Sequence, residues 1–338
     1  MNTAPPGAPC DNSPHPAGER VSVTSTRLLH FRRRVLVIAA ALAVATLPRM
    51  ASAAACCISA TSFGVGRLLI WEDFATGMLV GHSWSLGQWD QNGNFRPNPP
   101  GFNDGVTLIQ PWAIARISER IQVQAWAPFL FNDRSTNEAS QFSGGLGDIG
   151  AAVRYEFLAI GEYEGLPSFA VTVGGLAPSG TTVEQTLPPL LAGTTGKGSW
   201  AISAALEAEY AWLPWFLRGE FAATYYFPYQ RADRDPPVSQ QWGPLLQAGA
   251  SSGMEVVPDK LVLALGLLAE WQFPYELGGE TISESRAFSI SAALSSSWRV
   301  SPHWTLNGIL TSSIWPDGMG ANRDGRLGFT IGVRYGHF

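Results

Sequence analysis

The chain has 338 residues, of which 46% are hydrophobic and only 14% are charged, and its formal net charge is −5. Its only two lysines are Lys197 and Lys260, so no lysine-rich patch exists that would attract nucleic acid or anionic lipid, and no nucleic-acid partner is expected. Three cysteines in a chain of this length exclude a fold held together by several disulfides.

The first 53 residues are predicted to be a signal peptide with an N-terminal extension. Arg32, Arg33 and Arg34 form a basic segment, residues 35–47 form an apolar stretch, and Ala51-Ser52-Ala53 is a small-residue cleavage site. A retained anchor helix is the alternative, but so short a stretch cannot cross a hydrocarbon core of about 30 Å. We therefore expect export with cleavage near Ala53, which leaves a more acidic mature chain.

Residues 54–75 are predicted to form a periplasmic N-terminal tail. Cys56 and Cys57 follow the cleavage site directly, and lipidation of Cys56 is one alternative, although Ala53 stands where a lipidation motif usually has Leu. The segment from Gly66 to Phe74 has three open interpretations: a plug, a short periplasmic helix or the start of a strand.

The rest of the chain places its apolar residues in strands. The longest apolar run, from Leu261 to Ala269, contains Gly266 and is too short for a spanning helix. Apolar and polar residues alternate instead, as in strands whose successive side chains point to opposite faces. Soluble β-sandwiches alternate too. However, these runs have about 10–15 residues, which fits a tilted membrane-spanning strand better than a soluble strand of about 5–6.

Twelve strands can be placed, and an even number is typical of single-chain bacterial barrels. They are expected at 76–90, 104–116, 120–131, 146–159, 167–177, 199–211, 215–228, 242–254, 261–273, 286–299, 303–315 and 326–338. Long connections alternate with short turns, which predicts external loops at one end and both chain ends in the periplasm. The sequence thus predicts an all-β protein whose residues 76–338 form a closed antiparallel up-and-down transmembrane β-barrel.

One strand and one loop of this scheme differ from the rest. Pro111 interrupts the second strand, which makes that strand the least regular of the twelve, since proline cannot donate to a sheet ladder. The longest loop, residues 178–198, could fold inward and constrict the opening of the barrel.

The last strand and the start of the fourth strand carry motifs. The chain ends on Phe338, which looks like the C-terminal signal read by the barrel-assembly machinery, although Phe338 is out of phase with the apolar face and would need a bulge near Gly336. Residues 144–150, Gly-Gly-Leu-Gly-Asp-Ile-Gly, resemble a strand start in the phenol meta-pathway outer-membrane proteins. That resemblance implies a transporter of aromatic hydrocarbons. The alternative for the motif is a tight corner in which Asp148 bonds local backbone.

Charged residues recur on the faces assigned as inward. Because Arg or Lys at the lipid midplane costs about 2–4 kcal/mol, these residues are expected to line the lumen. Two interpretations remain open: a pore wall that selects by charge, or ion pairs that fill a narrow barrel. The lumen-lining candidates are Asp148, Arg154, Glu156, Glu207, Glu209, Arg218, Glu220, Glu270, Arg299, Arg326 and Arg334.

Enzyme chemistry has little support in the sequence. The mature chain has three histidines, and the segment Gly81-His82-Ser83-Trp84-Ser85 lacks the second glycine of a nucleophile elbow. No catalytic residue, cofactor or metal site is therefore expected, and a barrel hydrolase is kept as a third alternative.

The sequence predicts a bacterial outer-membrane barrel that passes small molecules, hydrophobic or aromatic ones included, by diffusion. The alternative is a plugged barrel that serves as a surface anchor or interaction protein. The expected partners are outer-membrane lipid, the barrel-assembly machinery through the strand ending at Phe338, and a small-molecule cargo.

Overall fold

The computed structural model describes residues 66–231, 235–314 and 317–338. The predicted signal peptide and most of the predicted tail lie outside these residues. Among the described residues, no helix is long and apolar enough to cross a membrane. The helical content of this part of the chain is two short 3₁₀ turns, Val183–Gln185 and Ser283–Ser285.

The described residues form twelve long strands in chain order, which confirms the predicted number. The predicted boundaries agree within about four residues except at the fourth strand, which begins at Ser140 and not at 146. Two of the strands are interrupted for two residues each. The strands are β1 Phe74–Trp89, β2 Asn103–Ser118, β3 Ile121–Trp126 continued by Phe129–Ser135, β4 Ser140–Leu146 continued by Ile149–Leu158, β5 Ser168–Ala177, β6 Ala201–Trp212, β7 Trp215–Tyr226, β8 Leu245–Val257, β9 Leu261–Gln272, β10 Ala287–Arg299, β11 Trp304–Ser313 and β12 Arg323–His337.

These strands close into a barrel, because each strand pairs antiparallel with the next and β1 also pairs with β12. Thr76 of β1 is opposite Tyr335 on one side and Ala113 on the other. Closure leaves no free edge in the ladder, which is the requirement for a sheet that spans a membrane. The predicted closed up-and-down barrel is therefore confirmed.

Side chains alternate between an exposed apolar face and a buried face that holds most of the polar groups. On β9, Leu265 and Leu267 are 67% and 55% exposed, whereas Val262 and Ala264 are buried. On β6, Leu206 is exposed while Ser203 is buried. An outward surface built from Leu, Ile, Val and aromatic residues fits a lipid environment, and a band this large would not stay in water.

The second strand is more regular than predicted. β2 continues through Pro111, whose side chain points outward. The N–H and C=O of a strand residue point to the same neighbour, and the Pro111 carbonyl accepts the Ala127 N–H at 3.2 Å. The missing N–H of Pro111 thus faces β3 where β3 itself is interrupted, so the ladder loses little.

The interruptions of β3 and β4 were not predicted. They fall at Ala127-Pro128 and at Gly147-Asp148, side by side, where the Gly147 N–H donates to the Pro128 carbonyl at 2.6 Å. Beyond this point the β3–β4 hairpin rises above the tops of β5 and β6.

The expected bulge near Gly336 is absent from the described ladder. β12 pairs with β1 without a shift from His337↔Phe74 to Arg326↔Ser85. Phe338 follows the strand, and its ring stacks on His303 with centroids 4.8 Å apart. Phe338 does not need to match the apolar face of β12, because it lies beyond His337, the last paired residue of that strand.

The two ends of the barrel differ. One end, here called the turn end, has mostly short connections and holds both Phe74 and His337. The other, here called the mouth, has the long loops. At the mouth, four short strands form a separate external sheet, which consists of Tyr229–Arg231, Val238–Gln241, Glu276–Leu277 and Glu280–Thr281.

Candidate channel interior

Ion pairs occupy the inner face of β4, β6 and β7. Arg154 contacts Glu156 on its own strand and Glu207 Oε2 at 3.4 Å on β6. Arg218 on β7 also contacts Glu207 Oε2, at 3.0 Å, and Glu220 at 3.7 Å. All five side chains are at most 13% exposed. The five candidates therefore form one cluster in which the charges balance each other to within one unit.

An N-terminal plug, residues 66–73, lies inside the turn end of the barrel. Arg67 Nη2 is 3.0 Å from Glu209 Oε1 on β6, and both side chains are 6% exposed. Glu72 is 1% exposed and pairs with Arg334 of β12, whose Nη1 donates to Glu72 Oε1 at 2.6 Å. The Leu68 N–H donates to Gln122 of β3. Of the three interpretations open for this segment, these contacts fit the plug.

An apolar layer lies against the plug. Leu68 packs in one cluster with Trp112 and Ile114 of β2 and Trp126 of β3, together with one buried alanine from each of β1, β4, β6 and β7. The plug is therefore held by a charged contact on each side and by burial of Leu68, which contributes about 1.5–3 kcal/mol.

The mouth is covered by the loop 178–198, here called the mouth loop. Asp148 holds both ends of this loop, since Oδ1 accepts the Gly180 N–H at 3.1 Å and Oδ2 accepts the Lys197 N–H at 3.0 Å. Asp148 is thus a loop clamp that bonds the backbone of another segment. The prediction that Asp148 bonds local backbone was right about backbone hydrogen bonds, but the N–H groups belong to the mouth loop and not to the neighbouring residues.

The mouth loop also reaches across the mouth. Asn132 of β3 donates to the carbonyls of Ala192 and Thr194, and Arg134 donates to that of Leu190. On the opposite side the indole of Trp242, just before β8, donates to the Lys197 carbonyl at 2.9 Å. The expectation that loop 178–198 folds inward is therefore met.

The Lys197 side chain is buried at the β7–β9 side of the mouth. Its Nζ lies 4.0 Å from the centre of the Tyr226 ring and 3.4 Å from Gln272 Oε1. Burial, together with the charge of nearby Arg323, lowers the pKa of Lys197 to about 8, against the opposing effect of Asp148 and Glu270.

A cavity of about 90 Å³ lies at mid-height along the inner side of β7–β11. Ser251, Gly266 and Ala293 are direct neighbours across β8, β9 and β10, and Thr311 of β11 continues the row. These residues are small, so the barrel keeps free space on this side, opposite the tryptophans of β2 and β3.

The remaining candidates occupy separate positions. Glu270 accepts from Gln247 at 2.8 Å. Arg299 lies 5.8 Å from the Trp71 ring of the plug. Arg326 pairs with Asp104 of β2 at 3.1 Å. The eleven candidates therefore divide among an ion-pair cluster, the plug contacts and the mouth, and they do not form a single ring.

Sequence reasoning missed four charged residues that these groups use. Arg67 and Glu72 precede the first predicted strand, so strand alternation gave no signal for them. Asp104 and Arg134 lie at strand ends near the mouth and pair at 3.2 Å. Their opposite charges, at the start of β2 and the end of β3, were the feature of the sequence that could have predicted this pair.

The histidines do not assemble a hydrolase site in the described residues. His82 points outward, bonds Thr107 Oγ1 at 2.8 Å and packs on Trp84. Ser83 points inward and contacts Arg326. Neighbouring residues of a strand face opposite sides of the wall, so His82 and Ser83 cannot act on each other.

At the sequence level, no family model matches the chain and no curated protein is significantly similar to it. By structure, the chain is similar to an outer membrane channel from Pseudomonas putida F1, with a TM-score of 0.63 and 14% identity over 79% of this chain and 96% of the channel. The autotransporter NalP translocator domain from Neisseria meningitidis superposes with a TM-score of 0.45 at 10% identity, over 93% of this chain and 98% of that domain. The CymD monoaromatic hydrocarbon channel gives 0.39 at 8%, over 79% and 89%.

The similarity to the Pseudomonas channel shows an outer-membrane barrel fold. The fold implied by the resemblance to aromatic hydrocarbon transporters is therefore confirmed, and the cargo stays a prediction.

Proposed function

We propose that the chain is an outer-membrane channel that passes small molecules by diffusion, with the long loops outside the cell and both chain ends in the periplasm. The observation that carries the proposal is the closed barrel, apolar outside and polar inside, that keeps a cavity between two occluding segments. A surface anchor would have no need for free space in its lumen.

The proposed cargo is small and hydrophobic or aromatic. The resemblance of residues 144–150 to the hydrocarbon transporters supports it. The charged groups inside the barrel are engaged with each other, so they leave little net field to select ions. In the conformation described, the plug and the mouth loop both obstruct the lumen, so passage requires each of them to move.

A plugged barrel that serves as an anchor is the second candidate, and the double occlusion favours it. Solute flux separates the two functions. Purified protein in planar bilayers and in liposomes loaded for swelling assays is expected to give conductance steps and uptake of small aromatic solutes. Absence of both, together with no uptake defect in a deletion strain, would reject the channel.

The membrane location is tested separately. A closed barrel resists unfolding by detergent, so the unheated protein is expected to migrate faster on denaturing gels than the heated protein. Fractionation should place it in the outer membrane with a mature N-terminus after Ala53. A protein that stays in solution without detergent would contradict the location.

Recognition by the barrel-assembly machinery is also proposed, through the strand that ends at Phe338. The Phe338 ring is 43% exposed against His303, which leaves it open to a partner. Deletion of Phe338 is expected to lower the amount of heat-modifiable protein in cells, while His337→Ala serves as the control.

A further inference from the structure

A polar cavity of about 420 Å³ lies at the mouth, between the mouth loop and the external sheet. Its volume is within the range of about 300–1,000 Å³ that is typical of small-molecule sites. Most such sites are lined by apolar side chains, whereas here most lining residues are polar. The lining residues that carry the argument are Thr182, Glu184, Gln185, Tyr229, Gln230 and Arg231.

The charges in the wall of this cavity balance each other. Glu184 is 7% exposed at its side chain, and its Oε1 is 3.2 Å from Arg231 Nε. The same oxygen accepts the Tyr229 hydroxyl at 3.3 Å. Because Glu184 and Arg231 are already paired, the described part of the wall is close to electrically neutral, which favours an uncharged occupant.

The other lining groups suit a molecule with many hydroxyls. Gln185 is exposed, and its Oε1 accepts the Thr182 N–H at 3.0 Å while its amide NH2 is a donor; the Thr182 hydroxyl is both a donor and an acceptor, as sugar hydroxyls are. Gly198 lies between Thr182 and the Tyr229 ring, and a Cβ there would come within 2.4 Å of Thr182 Cγ2, so glycine avoids a clash in this wall. The Tyr229 ring offers an apolar contact for the C–H face of a sugar ring.

We propose that this cavity is a binding site for an uncharged saccharide. The occupant would contact both the mouth loop and the external sheet, and would therefore hold the mouth loop in place. The saccharide can come from the medium or from the polysaccharide of the surrounding membrane. The site does not depend on conduction, so its test reads binding directly and is independent of the channel proposal.

Binding is measured by saturation-transfer NMR and calorimetry on the folded barrel in an amine-oxide detergent, because detergents with sugar headgroups would compete. The probes are maltose, an oligosaccharide released from lipopolysaccharide, and glucose 1-phosphate. We expect binding of maltose or the oligosaccharide, and the probe that binds identifies the source. Failure of both to bind, or equally tight binding of glucose 1-phosphate, would overturn the proposal.

Variants locate the site. Gln185→Ala and Tyr229→Leu are expected to weaken binding about tenfold, as the loss of one or two hydrogen bonds or a ring contact does. Gln241→Ala, in the same external sheet but outside the cavity, should bind like the parent chain. Glu184→Gln removes the negative charge that faces Arg231 in the wall and should shift preference toward glucose 1-phosphate. Heat-modifiable migration verifies folding of each variant, and parental affinity in Gln185→Ala together with Tyr229→Leu would reject this location.

Discussion

Charges inside the barrel are stabilised by one another. A buried ion pair gains little net stability, since desolvation offsets the attraction, but removal of one partner leaves the other uncompensated and costs about 3–5 kcal/mol. Arg154, Arg218 and Glu207 share contacts, so no single substitution in that cluster has a simple result. The plug pair of Glu72 and Arg334 joins the plug to β12 and lies apart from that cluster, so it offers the cleaner measurement.

Glu72→Gln is expected to destabilise the barrel by about 3–5 kcal/mol, because Arg334 is 5% exposed and would lose the buried Glu72 carboxylate while keeping its own charge. Urea unfolding in detergent micelles measures the loss. Hydrogen exchange at residues 66–73 should rise in the same variant. Glu119→Gln, in the exposed turn after β2, is the matched control, and an equal loss in both variants would contradict the role given to Glu72.

Asp148→Ala is expected to release the mouth loop, since both N–H groups that close the loop lose their acceptor. Ala192, a residue of the mouth loop itself that is 1% exposed, is the reporter position. In a chain with Cys56 and Cys57 replaced by Ser, an Ala192→Cys thiol should react slowly with a maleimide when Asp148 is present and much faster without it. Asp133→Ala, on an outward position of β3, should leave the labelling rate unchanged.

The strands could be predicted because alternation repeats over many residues, whereas the interruptions could not. On β9, every second residue from Leu261 to Trp271 is apolar, whereas the intervening positions include Gly266, Glu270 and Gln272, so both the strand and its faces follow from the sequence. At Pro128 the ladder breaks because β3 and β4 are interrupted side by side. Which residues of two strands lie side by side depends on their register, and the sequence of one strand does not reveal it. The plug was missed as a partner of the barrel charges for the same reason: Glu72 and Arg334 are 262 positions apart.

The interruptions predict uneven protection along the wall. Amides of the β3–β4 hairpin beyond Pro128 and Gly147 are expected to exchange with solvent deuterium faster than those of β9, which pairs without a break along β10. Exchange mass spectrometry on the reconstituted barrel measures the difference. Similar protection in both regions would show that the adjacent breaks do not weaken the hairpin.

Docking of the mouth loop is expected to depend on pH through Lys197. Burial lowers the pKa of Lys197 to about 8 when the loop is docked, whereas a released lysine keeps an ordinary value near 10.4. While Lys197 is protonated in both the docked and the released loop, burial of its charge makes docking less favourable. This free-energy penalty falls as pH rises from about 8 to about 10.4, because the docked lysine loses its proton in that range. Labelling of Ala192→Cys, corrected for thiol ionisation with a free thiol, should slow in this window. Lys197→Met should remove the dependence, and Lys260→Met should retain it.

At the scale of the whole molecule, the barrel has two occluding segments that share no contact among those described. The plug is fixed by Arg67 and Glu72 at the turn end, and the mouth loop is fixed by Asp148 and Lys197 at the mouth. The sequence predicted the barrel and the inward loop, but the pairing of Arg67 with Glu209 needed the closed wall, because only closure brings the plug inside. The two segments therefore obstruct one path at two different depths.

Obstructions in series predict a non-additive effect on conduction. When two comparable resistances follow one another, removal of either can at most double the flux, whereas removal of both opens the path. Glu72→Gln and Asp148→Ala are each expected to raise single-channel conductance no more than about twofold, and the double variant should increase it far beyond the sum of the two. The double variant Glu119→Gln with Asp133→Ala should conduct like the parent chain. If Asp148→Ala alone gave the full increase, the mouth loop would be the sole barrier and the plug would leave a path beside it, along the small residues of β8–β11.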